Sequence, residues 1–375
     1  MARGAEPAGG VSVNVHSIQP SVRGVSSLRL RLRARIVAVL LREGLDGQGP
    51  HLDPESPAAP PLSTAGWSPT RRRANESVNM KLFADSLRPP AGGSVRDGVI
   101  GDLAEYFRLD PQQVVHRCLH WEDDSVREWR ASSRDGPGDL AQFYNSIQSW
   151  SFDLAWYSYL QTVGFAYPNH VVVADEIRRP ETGARMLDFG SGVGVTAQLF
   201  AVLGDDVALA DVSAPLLAFA RWRLEQRGVT ATYIQLPADL PPASYDLITA
   251  LDTLAHVPDA EDTARQLYRA TRPGGYLAAN FDTRRMSERN AWHLYDDDLP
   301  LRWAIERTGY VPLKHIDGNL WIYQARPVGG AAWRLREAAA WLRLASPPAR
   351  TIRTIRRALA RAALVTLQRM RGRAQ

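Results

Sequence analysis

Cysteine and lysine are almost absent from this chain. Of 375 residues, one is a cysteine, Cys118, so no internal disulfide can form and no zinc site built on several thiolates is available. That scarcity suits a cytoplasmic setting. Lysine occurs only at Lys81 and Lys314, so arginine carries the positive charge, a skew that a GC-rich genome produces without any binding role. No apolar run approaches the roughly 20 residues of a membrane-spanning helix. The longest, Ile36 to Leu41, has six, and it is too short and too far along the chain for a secretory signal.

Acids are scarce at both ends. Residues 331–375 hold eleven arginines against Glu337, and residues 1–80 hold ten arginines against six acids. Residues 81–330 hold 24 basic and 33 acidic residues. The formal charge of +5 and the pI near 9.5 therefore belong to the flanks, while the body is acidic. An acidic body argues against nucleic acid as a partner, because phosphate binding needs a basic face. Glu6 is the only acid in the first 42 residues. That start mimics the composition of an organellar leader, but a disordered arginine-rich bacterial leader is the favoured reading.

Turn-formers such as Gly47, Gly49, Pro54, Pro57, Pro60 and Pro61 punctuate the first stretch. Residues 1–80 are expected to be a disordered extension, with Met80 an alternative start of translation. Residues 81–165 are expected to form a helical cap. Val99, Leu103 and Phe107 recur at four-residue steps on one helical face, and Asp110-Pro111 is an N-cap followed by an N1 proline. Between Gly138 and Gln161 stand Phe143, Tyr144, Trp150, Phe152, Trp156, Tyr157 and Tyr159. These rings suit the core of the cap, or a substrate wall beneath it, and a cap has faces for both.

Residues 166–328 change period. ARMLDFG, DVALADV, TATYIQL, YDLITALD and GGYLAANFD are apolar runs of strand length, separated by helical stretches at Val195–Leu203, Ala214–Gln226, Glu261–Arg272 and Leu299–Thr308. Such alternation builds a parallel sheet covered by helices. KHIDGNLWIYQAR holds Asp-Gly between two apolar runs, a hairpin signal. The expected fold is α/β, a Rossmann-like, doubly wound, mostly parallel seven-stranded sheet with an antiparallel last strand. The helical cap precedes it and basic helices follow it.

In MLDFGSGVG an apolar strand turns through Gly190, Gly192 and Gly194 into a helix. Such a loop brings backbone N–H groups up to a polar ligand. The third glycine falls one place short of the dinucleotide fingerprint. Asp188 stands just ahead of the turn, where a pyrophosphate is repelled and a cationic amino group is welcome. This combination resembles motif I of the class I S-adenosylmethionine-dependent methyltransferases, and the pieces that follow keep that family's order over residues 150 to 325. The resemblance implies S-adenosylmethionine as cofactor, with Asp188 and the three glycines around its methionine part. It implies that Asp211, which ends VALAD, accepts both ribose hydroxyls. Ala238 and Asp239 after the third strand match the adenine site. LDTLAHV keeps the family's Asp252 and His256 but puts Ala255 where a glutamate is common. RPGG, at Arg272 to Gly275, matches the turn into the fifth strand. A nucleotide-sugar or NAD-binding Rossmann module is the alternative, and it lacks both the third glycine and a Tyr-x-x-x-Lys pair.

Methyl transfer needs alignment, desolvation and, for oxygen or nitrogen acceptors, a base. His256 and His293, both after strands on the ligand edge of the sheet, are the candidate catalytic residues. Tyr144, Trp150, Tyr157, Trp292 and Tyr295 are the candidate substrate residues. An enclosed aromatic site suits a small organic acceptor of the quinone or natural-product kind. No metal is expected, since Asp296-Asp297-Asp298 suits the start of the next helix. In residues 331–375, Ile352, Ile355, Leu359 and Met370 form an apolar stripe beside a basic face with Arg353, Arg357 and Arg361. That pattern fits packing on the domain, a homodimer contact or peripheral membrane docking. A docking module of methyltransferase fold is thus the competing reading.

Overall fold

The segment after Ser68 carries a helix-start signal ahead of four successive helices. Ser68 and Ser77 accept hydrogen bonds from Arg71 N and Met80 N, capping α1 (Pro69–Asn75) and α2 (Val78–Leu87). Ser94 with Asp97, and Asp110 with Gln113, form reciprocal capping boxes on α3 (Val95–Phe107) and α4 (Pro111–Ala131). The aromatic stretch divides into α5 (Asp139–Ser146) and α6 (Ser149–Thr162), and α7 (Asn169–Glu176) leads into the sheet. The computed structural model describes residues 66–132, 139–177, 183–284 and 292–327, with Thr64 and Leu335. The expectations for the first 63 residues and for the two basic tail helices lie outside the described residues.

The helical layer starts before the expected boundary at residue 81 and runs past 165. Ala74 and Met80 are buried, Arg71 donates to Gly164 O at 3.0 Å, and Asn79 donates to Asp175 at 2.6 Å. Residues ahead of Met80 are thus part of the packed body.

Beyond it, β1 (Arg185–Phe189), α8 (Val195–Val202), β2 (Asp206–Asp211), α9 (Ala214–Gln226), β3 (Thr232–Gln235) and β4 (Tyr245–Ala250) alternate. They are followed by α10 (Ala260–Ala270), β5 (Thr271–Asn280), α11 (Leu299–Thr308), β6 (Tyr310–Ile316) and β7 (Leu320–Ala325). The strands lie in the order β3-β2-β1-β4-β5-β7-β6. The first five run parallel, and β7 is antiparallel to both β5 and β6. Residues of β1, β2 and β4 are buried almost throughout, as two-sided helix cover requires. The hairpin turn is Asp317-Gly318, both at positive φ, the pair that matches strand twist. The Asp317 carboxylate also accepts from Ser68 and from Tyr167 (2.7 Å), which ties the turn to the helical layer. Among the described residues, no helix is long and apolar enough to cross a membrane.

A fully buried guanidinium joins the helical layer to the sheet. Arg223 of α9 donates to Asp102 of α3 (3.0 Å), to Gln198 of α8 (2.9 Å) and to Val193 O in the glycine loop (2.6 Å). Arg227 reaches the same Asp102 oxygen at 2.8 Å and donates to Ser86 O of α2. One carboxylate is thus shared by two cations. Removing one partner of a buried ion pair is costly because the remaining charge stays dry. Asp102→Ala should therefore lower stability by about 3–5 kcal/mol in urea unfolding followed by circular dichroism. A loss below about 1 kcal/mol, the worth of an exposed pair, would refute this role.

Candidate functional site

The chain leaves β1 toward β2 and β3 on one side of the sheet, then returns to β4 and β5 on the other. Strand order reverses between β1 and β4, and in open α/β sheets ligands bind at the carboxyl end of such a crossing. Asp188 lies there, paired in register with Thr249 of β4. Thr249 Oγ1 donates to Asp188 Oδ1 at 2.8 Å, while Oδ2 is buried with no hydrogen-bond partner. Burial, reinforced by the charge of Asp211, pushes the Asp188 carboxyl up to about 7.

The turn that follows needs its glycines. Gly190 and Gly192 sit at φ 70° and 53°, a region costly to side chains. A Cβ on Gly190 would stand 2.2 Å from Thr253, and one on Gly192 would stand 2.6 Å from Leu154 of α6. Gly194 caps α8, also at positive φ. Gly192 N donates to Asp211 Oδ2 at 2.7 Å, and Ser213 N donates to Oδ1 at 2.8 Å. Burial raises the Asp211 pKa, and these backbone donors work against the shift. Each carboxylate oxygen keeps a further lone pair for a ligand.

Asp252 follows β4 at φ 53° and is clasped by Asn280 of β5: Asp252 N donates to Asn280 Oδ1 at 2.7 Å, and Asn280 Nδ2 returns a bond to Asp252 Oδ1. Ala238 and Asp239 are exposed on the loop leaving β3. Asn280 and Thr249 hold two candidate site residues, Asp252 and Asp188, and the sequence reading passed over both. A polar residue inside an otherwise apolar strand, in AANFD and LITALD, is the signal that marks them.

His256 follows in a short 3₁₀ turn, Leu254–His256. Its Nδ1 lies 3.0 Å from Trp292 O. A carbonyl only accepts, so Nδ1 carries the proton and Nε2 of the neutral ring holds a free lone pair. Burial lowers His256 to about 4, and His293 pushes the same way. The two rings are 4.5 Å apart, and His293 Nε2 lies 3.9 Å from Asp282.

The aromatic candidates divide. Tyr144, Trp150 and Trp292 meet in one cluster with Phe143, Ile147 and Val126, and Trp150 stands 5.9 Å from both Trp292 and His256. Tyr157 is half-buried two turns further along α6, beside the Arg71 guanidinium. Tyr295 is apart from the cluster: its hydroxyl donates to Pro258 O at 3.3 Å and its ring packs on the core of the sheet. The residue stands three places after Trp292, but the chain turns between them as Leu294 N donates to Ala255 O.

The fold and site define an α/β protein whose glycine turn, at the carboxyl edge of the sheet, suits a polar ligand. Among the described residues, four of the twelve buried polar atoms left without hydrogen-bond partners (Asp188 Oδ2, Ser191 Oγ, Tyr144 Oη and His293 Nδ1) belong to this loop and to the aromatic cluster and histidine pair beside it. Buried polar groups are rarely left so, and a ligand with hydroxyls and charged ends fits them. Residues 187–279 match the family model described as a methyltransferase domain. The chain is 35% identical over 100 residues to the ubiquinone biosynthesis O-methyltransferase of Paraburkholderia phymatum, covering 26% of this chain and 43% of that protein. It is 34% identical over 99 residues to the protein of the same name from Pectobacterium atrosepticum, covering 25% and 41%. The chain thus spans less than half the length of the curated relatives it matches. A phosphoethanolamine N-methyltransferase 2 structure from Haemonchus contortus, in complex with S-adenosyl-L-methionine, superposes with a TM-score of 0.39. That match is at 20% identity over 48% of this chain and 46% of that one. Over residues 187–279, the sheet domain is thus similar to the methyltransferase-domain family.

His170 lies beneath the loop helix, with Nε2 2.5 Å from Gln161 Oε1 and Nδ1 3.3 Å from Thr196 Oγ1. Burial lowers it from 6.5 to about 4. Between those values the unfolded chain takes up a proton that the folded chain refuses, so stability rises with pH. His256 adds to that slope. Asp188, raised in the fold, opposes it, because the unfolded chain releases a proton that the fold retains. His170→Asn should shrink the stability difference between pH 4.5 and 7 by about 2 kcal/mol, read by urea unfolding. An unchanged slope would contradict the buried neutral ring.

Proposed function

We propose that the protein transfers the methyl group of S-adenosylmethionine to a hydroxyl oxygen of a small organic acceptor. The observation that carries this reading is the glycine turn locked to the carboxylate of Asp211 at the β1–β4 crossing. When bound, the cofactor supplies a methyl group on a positively charged sulfur, which a nucleophile displaces directly. Gly190, Gly192, Gly194 and Asp188 would hold its methionine part. Asp211 would accept its ribose hydroxyls, and Ala238 and Asp239 would flank its adenine. Asp252, fixed by Asn280, braces the edge between cofactor and acceptor.

His256 is the base. Burial keeps its ring neutral at pH 7, with the Nε2 lone pair available. The acceptor O–H proton passes to Nε2 as the new C–O bond forms, when that proton has become acidic. Asp282, behind His293, favours the protonated ring, while His293 and Arg284 work against it. Trp150 and Trp292 would flank the acceptor. Oxygen is favoured over nitrogen because the curated relatives are named O-methyltransferases. The acidic balance of residues 81–330 supports a small acceptor over a polyphosphate.

Calorimetry with S-adenosylhomocysteine tests the cofactor site. Asp211→Ala should weaken binding by roughly 100-fold, about 3 kcal/mol, and an unchanged affinity would remove the ribose assignment. His256→Ala should lower kcat toward catechol or hydroxyquinol acceptors by roughly 10²–10⁴-fold and leave S-adenosylhomocysteine affinity intact. A kcat within about threefold of wild type would show that no base acts there.

A further inference from the structure

We propose that Tyr144, from the helical layer, is a cofactor-binding residue whose hydroxyl hydrogen-bonds the ribose of the bound cofactor. The inference rests on the cofactor reading above and moves Tyr144 from the acceptor wall to the cofactor.

The Tyr144 side chain is 6% exposed, and its hydroxyl has no hydrogen-bond partner. Leaving such a group dry and unpaired costs about 1–3 kcal/mol, and most buried polar atoms avoid it. Tyr310, as deeply buried, bonds Thr271 at 2.5 Å. The Tyr144 ring packs beside those of Phe143 and Trp150, in a cluster that Val212 also packs against.

Val212 directly follows Asp211, and its place in that cluster brings the ring to the carboxyl end of β2. The next residue on α5, Asn145, accepts from Ala214 N at 3.1 Å, which fixes α5 to the first turn of α9. Burial and the nearby Asp211 carboxylate both raise the Tyr144 pKa, so the phenol stays protonated and remains a donor. Asp211 can only accept, and its oxygens already take one backbone N–H each. A hydroxyl group donates and accepts at once. A ligand hydroxyl placed between them would donate to Asp211 and accept from Tyr144. No apolar ligand satisfies both.

Tyr144→Phe removes only the hydroxyl, so it separates folding from binding by sign. Without ligand, the variant should melt higher by about 2–4 °C, because an unpaired buried group is gone. Its S-adenosylhomocysteine affinity should fall roughly five- to tenfold. That penalty should vanish with the 2′,3′-dideoxyribose analogue of S-adenosylhomocysteine, which wild type and variant should bind alike. Unchanged S-adenosylhomocysteine affinity, or an equal loss with the dideoxy analogue, overturns the proposal while the cofactor reading stands. A raised acceptor KM with intact S-adenosylhomocysteine affinity returns Tyr144 to the acceptor wall. Absence of binding by wild type overturns the cofactor reading and this proposal together.

Discussion

Gly192 N lies 2.7 Å from Asp211 Oδ2, a bond between the tip of one loop and the end of the neighbouring strand. Everything at the carboxyl edge of the sheet is arranged around it. The bond is short and charge-assisted, the stronger kind of hydrogen bond, and it is made where water is excluded. It requires Gly192 at positive φ, because only then does this N–H turn toward β2. Leu154 of α6 occupies the space a side chain would need. The same glycine is thus demanded twice, once by backbone angle and once by the helix lying over it.

The helical layer is consequently part of the site and not a separate attachment. Arg223 holds the loop from behind through Val193 O, and Asp102, on a helix of the layer, neutralises Arg223. Leu154 presses on the loop from above. His170 and Gln161 fill the space beneath the loop helix and use apolar cover from Phe83. A ligand entering over Gly192 therefore meets groups from both layers. Movement of the helices would change the loop without any rearrangement of the sheet. This coupling is physical contact, charge against charge and ring against ring, and needs no long-range pathway.

The sheet was legible in the sequence because its signals are local. Apolar runs of strand length, Asp-Gly at the hairpin and the glycine triplet each depend on a few adjacent residues, and their order determined the topology. The helices Ala214–Gln226 and Leu299–Thr308 fall where periodicity put them. What escaped was non-local. Asp102 and Arg223 are 121 residues apart, and nothing in either segment indicates that they meet. Thr249 and Asn280 are polar residues on buried strands, and their meaning appears only when β1, β4 and β5 lie side by side. The helices before Met80 were missed because Pro69 and Ser68 sit in a stretch rich in turn-formers, where a short capped helix looks like another turn. Tyr295 was misjudged for the opposite reason: neighbours in sequence were taken as neighbours in space.

The histidine pair shows how burial serves reactivity at this edge. A base is useful only while unprotonated, and desolvation holds His256 in that state throughout the neutral range. The cost is weak basicity, so the ring cannot remove a proton from a resting hydroxyl of high pKa. It can receive one that is leaving, because attack on an electrophilic carbon makes the attacking O–H strongly acidic. For such a transfer the lone pair must point at the acceptor before reaction starts. The bond from Nδ1 to Trp292 O fixes both tautomer and ring orientation. Trp292 thus acts through its carbonyl as well as its ring. Its indole packs against Trp150 while its backbone sets which nitrogen of His256 carries the proton. Asp282, 3.9 Å from His293 and paired with Arg284, sets a carboxylate and a guanidinium on the far side of the pair, with opposite effects on the His256 ring.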